Sequence, residues 1–285
     1  MLIRKFGEAI IMYTLLILMA ATNGSNTPLR IEPLANNTEL QTVTEGVAVD
    51  NTQAPTIKLN AHAVKFVADY ARKNGEDLEL ARRRSVLCFN MMDSVLNMYG
   101  IPTELKYLAV VESNLDTKAV SQVGAVGPWQ LMPTTAKLLG LKIKRRYDER
   151  TYYTKSTEAA AIYLRDLHNE FHDWLLVVAA YNSGPGPVYA AIHKSGSRNF
   201  WKMQQYLPEE TRVHVKRFIG THYYFEGKGS VATLTKSELN QYKKATAAYY
   251  ERKNLAKKDK SRKGNGTETS MIVSMLSGLL MKNEA

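Results

Sequence analysis

The stretch "LAVVESNLD", residues 108–116, contains a glutamate in an otherwise apolar helical pattern. Leu105, Leu108, Ala109 and Glu112 fall at i, i+3, i+4 and i+7, the spacing of one core-facing stripe of a helix. Glu112 therefore occupies a position where an apolar residue is expected.

A carboxyl group at such a position can act as a general acid. Desolvation raises the pKa of a carboxyl group, and a general acid must hold its proton near the working pH. The alternative is a buried glutamate paired with a basic residue, which is the more common situation for a single glutamate. Asp116, one turn beyond Glu112, is a possible second carboxylate, but we interpret it as a cap at the helix end, and Asp148 as the start of a later segment.

Two further motifs accompany Glu112: "SQVGAVGPWQLMP" over residues 121–133 and "AAYNSGPG" over residues 179–186. Gly124 and Gly127 permit backbone conformations that other residues avoid, and they allow a loop to approach a ligand closely. Each motif alone is a weak signal, because glycine loops and helix-ending Asn-Gly pairs are common. Their order and spacing are much less common.

With these motifs, and with "YDER" at 147–150 and "LPEET" at 207–211, residues 101–225 resemble the soluble-lytic-transglycosylase (SLT) catalytic domain of glycoside hydrolase family 23. Within that family they resemble the membrane-bound lytic transglycosylase D branch. The resemblance implies a lysozyme-like helical fold that cleaves the β-1,4 bond between N-acetylmuramic acid and N-acetylglucosamine in peptidoglycan. It implies that Glu112 protonates the leaving oxygen and then takes a proton from the C6 hydroxyl of the sugar, which leaves a 1,6-anhydromuramyl end.

The resemblance also assigns substrate contacts. It implies that Tyr181 orients the catalytic glutamate, that Asn182 binds the N-acetyl region, and that Glu210 lies on the far wall of the cleft. The other substrate-binding positions that it implies are Ser121, Gln130 and Met132. Met132 can equally be a core residue, and Trp129 can either stack on a sugar or lie in the core.

Two positions depart from the family pattern. His214 stands where the family usually has tyrosine, and Lys216 where it usually has proline. These departures bear on the substrate contacts of the far wall and not on the assignment of Glu112 as the acid.

The remaining patterns predict an all-α, lysozyme-like domain with flexible N- and C-terminal extensions. Asn60 caps a helix that ends near Gly75, a second helix runs from about residue 76 to 99, and Thr103 caps the helix of Glu112. Further helices are expected at 134–139, 156–171, 174–181 and 235–254. The predicted organisation is a signal peptide (1–24), a linker or extended arm (25–57), an N-terminal helical subregion (58–100), a catalytic domain (101–227) and a basic helical extension (228–285).

The N-terminal segment has basic residues, an apolar run and then small polar residues, which is the order of a secretory signal peptide. A retained single-span anchor is the alternative, although the run is at the short limit for crossing a bilayer. We therefore expect export to the periplasm or cell envelope. The apolar residues 271–281 are too few to span a bilayer and are interpreted as a terminal helix, with peripheral membrane contact as the alternative.

The net charge of +11 is concentrated in the stretch 252–263, which has seven basic residues and one acidic residue. Since this tail lacks interleaved aromatic residues, nucleic-acid binding is not expected. His168 and His172 lie at i, i+4 without a third ligand at a suitable spacing, so no metal or other cofactor is expected, and the histidines after His62 are interpreted as surface residues. Cys88, the single cysteine, is interpreted as a core residue.

The sequence thus predicts a peptidoglycan lytic transglycosylase. A muramidase that cuts the same bond with water is one alternative, and a non-catalytic peptidoglycan-binding protein is another. A single acid is sufficient for a transglycosylase, whereas a hydrolase usually needs two carboxylates.

Overall fold

The computed structural model describes residues 47–48 and 53–280, together with the side chains of residue 47 and residues 53–258. The chain divides into two compact units. One unit spans Lys58–Ser237 and carries the predicted catalytic residues. The other contains residues 47–57 and the chain from Glu238 onward. The predicted signal peptide and most of the predicted linker lie outside the described residues.

Helices dominate both units, which confirms the predicted all-α class. The α-helices of the described residues are α1 Ala61–Lys73, α2 Gly75–Ser85, α3 Phe89–Met98, α4 Tyr107–Ser113, α5 Pro133–Leu138, α6 Tyr153–Phe171, α7 Trp174–Ser183, α8 Pro185–Ser195, α9 Phe200–Met203, α10 Glu209–Glu226 and α11 Lys236–Leu280. Short 3₁₀ helices occur at Thr103–Lys106, Glu149–Thr151, Gln204–Tyr206 and Val231–Thr233. Two antiparallel pairs of two-residue strands join Val47–Ala48 (β1) to Thr56–Ile57 (β2) and Ile143–Lys144 (β3) to Tyr147–Asp148 (β4), with Val47 opposite Ile57 and Ile143 opposite Asp148.

Helix α7 lies at the centre of the larger unit. Its residues from Trp174 to Ala180 are all buried, and it packs against α6, α8 and α10. A helix that is apolar on every side requires such an environment, because no face of it is suited to water. The side chain of Asp173 begins the helix by accepting hydrogen bonds from the backbone N–H groups of Leu175 and Leu176. This packing fixes the position of Tyr181 and Asn182 at the other end of the helix.

Helices α1 and α10 pack against each other and support the helix of Glu112. As predicted, the side chain of Asn60 caps α1, accepting from the N–H of His62 at 3.0 Å. Helix α10 packs on α1, α4 and α7, and the hydroxyl groups of Tyr70 and Thr221 lie 3.1 Å apart across the α1–α10 contact. The contacts with α1 and α7 therefore hold α10 in place where it packs against α4, the helix of Glu112.

Three predicted elements differ in the structure. The helix expected over residues 76–99 is two helices, because the chain turns at residues 86–88 and places Cys88 in the core at 1% exposure. The prediction that Cys88 is a core residue is thus confirmed. Thr103 does not cap α4, since the chain enters α4 through the 3₁₀ turn Thr103–Lys106, which has no side-chain cap. The helix predicted over 235–254 continues through the basic stretch to Leu280.

Among the described helices, none combines the length and the apolar character that a membrane crossing requires.

His222 is buried on α10, where it contacts the ring of Tyr107 edge-on, and it is not the surface residue that we expected. Burial lowers the pKa of His222 from its ordinary 6.5 to about 4, with nearby Glu226 opposing the shift and Lys106 adding to it. Between these pH values the unfolded chain binds a proton that the folded chain excludes, so stability falls as the pH falls. Lowering the pH from 7 to 4.5 should cost about 2 to 3 kcal/mol from this group alone.

Urea unfolding of the wild type and of His222→Gln at both pH values measures this contribution. Glutamine does not titrate, so the variant should lose less stability on acidification than the wild type. The comparison is made above pH 4 because carboxylates with lowered pKa, such as Asp148, release their contribution in more acidic solution. An equal loss in both proteins would contradict the assignment.

Candidate active site

Glu112 lies in the last turn of α4, at the end of a buried apolar stripe. Leu105, Leu108 and Ala109 are fully buried, as the spacing predicted. The side chain of Glu112 is 17% exposed, so it is largely removed from water while it still reaches a cavity. The helix thus delivers one carboxyl group to the cavity, while its residues 107–110 are buried.

The chain leaves α4 through two consecutive residues in the left-handed region, Asn114 (φ 51°) and Leu115 (φ 62°). Such conformations are costly for residues other than glycine and persist only when their surroundings hold them. The guanidinium of Arg84 donates to the carbonyl of Asn114 at 3.0 Å, and the hydroxyl of Tyr153 donates to the carbonyl of Leu115 at 2.6 Å. This turn ends α4 at Ser113, one residue after Glu112.

Asp116 does not cap α4, contrary to our prediction. Its carboxylate is 3.2 Å from Nη2 of Arg84 and accepts from the backbone N–H of Lys118 at 2.8 Å. Asp116 does not line the cavity that Glu112 lines. It therefore helps to hold the turn after α4.

His214 of α10 makes direct contact with Glu112. Its Nε2 lies 2.9 Å from Oε1 of Glu112, and the residue is 7% exposed. The expectation that His214 is a surface residue is therefore wrong. The sequence did contain a feature that could have identified this residue, namely the histidine in "ETRVHV" at a position where the family usually has tyrosine.

The geometry around His214 assigns its tautomer. Nδ1 is buried and has no hydrogen-bond partner among the described residues. A buried N–H without an acceptor is costly, so the arrangement favours the hydrogen on Nε2, where it is donated to Glu112. Oε1 of Glu112 is then an acceptor.

A cavity of about 230 Å³ brings together all seven residues that the sequence singled out. The residues come from α4, the loop before α5, the end of α7 and the start of α10, so they are distant in sequence. They are Glu112, Ser121, Gln130, Met132, Tyr181, Asn182 and Glu210.

Ser121 and Gln130 hold the shape of the loop that forms one wall of this cavity. The hydroxyl of Ser121 accepts from the backbone N–H groups of Val123 and Ala125, at 3.3 and 2.9 Å. The side-chain amide of Gln130 donates to the carbonyl of Gly127 at 2.9 Å, and Gln130 itself has a positive φ of 46°. Both side chains therefore shape the loop from within.

The "YDER" segment holds the same loop from outside. Nη1 of Arg150 donates to the carbonyls of Gly124 and Leu131, at 2.8 and 2.9 Å. Asp148 caps the 3₁₀ turn Glu149–Thr151, as expected for the start of a segment, and pairs with Nη2 of Arg150 at 2.7 Å. Burial of Asp148 opposes ionisation, but the hydrogen bonds and charge of Arg150 prevail and lower the pKa of Asp148.

Trp129 and Tyr181 connect the loop to the helical core. Trp129 is fully buried and its indole N–H donates to the hydroxyl of Thr157 at 2.9 Å, which makes it a core residue. The hydroxyl of Tyr181 donates to the backbone carbonyl of Trp129 at 2.8 Å. This hydroxyl therefore does not contact Glu112 as we expected. His214 makes the contact with Glu112 instead. Burial, reinforced by the nearby charge of Glu112, raises the pKa of Tyr181 well above its usual range.

On the far wall, the carboxamide oxygen of Asn182 accepts from the hydroxyl of Thr211 at 2.9 Å. Glu210, the residue before Thr211, is exposed at the rim. The hydrogen bond between Asn182 and Thr211 joins the end of α7 to the first turn of α10. This contact fixes the width of the cavity at its far side.

Gly127 is required by the close approach of two backbone segments. It has φ +81°, and a Cβ atom there would lie 2.0 Å from the carbonyl oxygen of Arg150. Gly127→Ala should therefore cost about 3 kcal/mol, because strain of about 1 to 3 kcal/mol is joined by a backbone clash. Gly124→Ala is the matched control, with φ +86° but nothing within 4 Å of the added methyl. Urea unfolding should show a clearly larger loss for Gly127→Ala, and equal losses would contradict the importance of the contact.

The helical fold places one carboxyl group at the end of a buried helix, facing a glycine loop and a Tyr-Asn pair, which is the arrangement that the sequence resemblance implied. The family model "Transglycosylase SLT domain" matches residues 91–204. Residues 91–204 are therefore similar to that family. Arg84 and His214, which contact the Glu112 turn and Glu112 itself, lie outside the matched segment.

The chain is 42% identical over 125 residues to the membrane-bound lytic murein transglycosylase D of Escherichia coli strain K12. The match covers 42% of this chain and 27% of that relative, so the chain spans about a quarter of the length of the relative. A putative tributyltin chloride resistance protein of an Alteromonas species is 39% identical over 94 residues, 33% of this chain and 45% of that protein. The solved 70-kDa soluble lytic transglycosylase of Escherichia coli aligns with a TM-score of 0.46 and 23% identity, covering 60% of this chain and 32% of that one.

Proposed function

We propose that this protein is a peptidoglycan lytic transglycosylase, which cleaves the β-1,4 bond between N-acetylmuramic acid and N-acetylglucosamine and leaves a 1,6-anhydromuramyl end. The observation that carries the proposal is the position of Glu112, a largely desolvated carboxyl group at the wall of the cavity that also collects Gln130, Tyr181 and Asn182. The match of residues 91–204 to the SLT domain supports the same reaction class.

In the first step, protonated Glu112 gives its proton to the glycosidic oxygen as the bond from that oxygen to C1 of the muramyl residue breaks. General acid catalysis of this kind is effective when the acid holds its proton until the bond cleaves. Since His214 donates to Oε1, the second oxygen, Oε2, is available to carry the proton. The leaving sugar departs as an alcohol and positive charge develops at C1.

In the second step, the oxygen of the C6 hydroxyl of the same sugar attacks C1, and Glu112, now a carboxylate, accepts the hydroxyl proton. Glu112 takes up one proton in this step and gave one in the first step, so the enzyme returns to its starting state without the addition of water. One carboxyl group performs both transfers. Asp116, which is paired with Arg84 and lies outside the cavity lining, has no part in this scheme.

The remaining cavity residues are proposed to bind the strand. Gln130 and Ser121 present the loop wall, Met132 lies beside it, and Asn182 and Glu210 form the opposite side. Asn182 is proposed to contact the N-acetyl group.

We further propose that the protein acts in the cell envelope after export, in keeping with the names of membrane-bound relatives, and that the basic stretch 252–263 makes peripheral contact with the membrane.

Digestion of purified peptidoglycan, followed by mass spectrometry of the fragment ends, tests the proposal. Anhydromuramyl ends support it. Reducing ends would replace it with a muramidase, for which Glu210 is the second carboxyl group at the cavity. Intact peptidoglycan after incubation with folded protein would indicate a non-catalytic binding protein.

A further inference from the structure

A second and larger cavity, of about 830 Å³, lies along α10. Residues 209, 212, 213 and 216 of α10 line it, whereas Glu210 lines the catalytic cavity and His214 contacts Glu112. The first set follows the i, i+3, i+4, i+7 spacing of one helix face, and the second set lies on the adjacent face. The two cavities therefore adjoin across a single helix.

Cations predominate around this second cavity. Lys202, Arg212 and Lys216 line it, with Glu209 as the one carboxylate among the lining residues. Within the described part of the chain, none of these three cations forms an ion pair. Three positive groups around a concave surface that has a single carboxylate favour an anionic ligand.

The surroundings of Lys216 show why this cavity suits an anion. Lys216 is half-buried, and burial lowers the pKa of its ammonium group, with the charge of Arg212 acting in the same direction. The folded protein thus holds a partly desolvated cation beside a second cation, with the centroid of the Phe66 ring 6.0 Å from Nζ of Lys216 as its only favourable partner among the described residues. A bound carboxylate would offset both the repulsion and the loss of hydration.

An aromatic pair adds an apolar part to the cavity wall. The rings of His62 and Trp201 stack with centroids 5.9 Å apart and planes inclined by 23°. Trp201 is half-buried, and the exposed amide of Gln205 lies in the same lining. Cations beside an aromatic wall and an amide suit a ligand that has carboxylates, amides and short aliphatic groups, which is the chemistry of a peptide.

We propose that this second cavity binds the carboxylate-bearing peptide stem of a peptidoglycan strand whose glycan occupies the catalytic cavity. The proposal rests on the proposed function. The N-acetylated glycan backbone itself carries little charge, whereas the stems on its muramyl residues end in carboxylates. The arrangement across α10 makes the protein selective for strands that retain their stems.

The test compares two soluble substrates, glycan strands with intact stems and the same strands after amidase removal of the stems. The kcat/KM of each is measured by chromatography of the anhydromuramyl products. The wild type should prefer stem-bearing strands by about tenfold, the factor that about 1.4 kcal/mol of binding free energy gives. The preference should weaken as ionic strength rises.

The double variant Arg212→Gln/Lys216→Gln should bring the ratio of the two rates close to one. Arg217→Gln is the matched control, because it removes a cation from an exposed position of the same helix outside the cavity and should keep the wild-type ratio. Lys216→Arg retains the charge and should preserve most of the preference. Each variant is checked for an unchanged melting temperature, which is expected because a desolvated lysine contributes little to stability.

The proposal is overturned if the wild type does not distinguish the substrates, if the double variant keeps the preference, or if Arg217→Gln loses it equally. Binding of stem-bearing and stem-free fragments to Glu112→Gln, measured by calorimetry, separates this proposal from the catalytic one. Failure to cleave either substrate, with retained preference in binding, would remove the proposed reaction and leave the stem site. Cleavage of both at the same rate, with equal binding, would remove the stem site alone.

Discussion

Replacement of Glu112 by Gln should reduce peptidoglycan cleavage by about 10³-fold or more. The amide has nearly the same shape as the carboxyl group, but it cannot donate the proton that the glycosidic oxygen needs or accept one from the C6 hydroxyl. Because both proposed steps pass through this single group, the substitution should block both of them. Release of anhydromuramyl fragments from purified peptidoglycan, measured as a rate, gives the effect.

Two controls make this result specific to the chemistry. Glu112→Gln should retain the wild-type melting temperature and still bind glycan strands, since the amide preserves the volume and can accept from Nε2 of His214. Asp116→Asn should retain most of the activity, because Asp116 lies outside the cavity. Turnover by Glu112→Gln at the wild-type rate would disprove the assignment of the acid.

Replacement of His214 by Phe should lower kcat by about 10- to 100-fold and change KM little. His214 acts through Glu112, so it is a positioning residue: its Nε2 lies 2.9 Å from Oε1 and holds the carboxyl group in one orientation. Phenylalanine fills the space without a donor, which leaves the carboxyl group free to rotate. Steady-state kinetics on soluble glycan strands separates the two constants.

Restoration of the donor distinguishes positioning from packing. His214→Tyr provides a hydroxyl at the position where the family usually has tyrosine, and His214→Gln provides an amide of similar reach to Nε2. Both should recover much of the activity that His214→Phe loses. Equal defects in all three variants, or a change confined to KM, would indicate that His214 only fills space or only contacts substrate.

The helical character of the chain and the positions of its main helices follow from local patterns. Residues at helical spacing around Leu108, the wholly apolar α7, and side chains that accept from their own helix ends, such as Asn60 and Asp173, act within a few positions of one another. The turn at residues 86–88 had no comparable local signal. It is set by the need to bury Cys88 and to pack α3 against α6.

The sequence by itself determined the candidate residues of the site, because the spacing of three motifs and a glutamate on an apolar face are properties of the chain alone. The tertiary structure decided which groups touch. His214 and Glu112 are 102 positions apart, yet they meet because α10 packs on α4, while Tyr181 is directed to Trp129 by the packing of α7. Such long-range contacts depend on how helices pack, and local periodicity specifies only which face of each helix is buried.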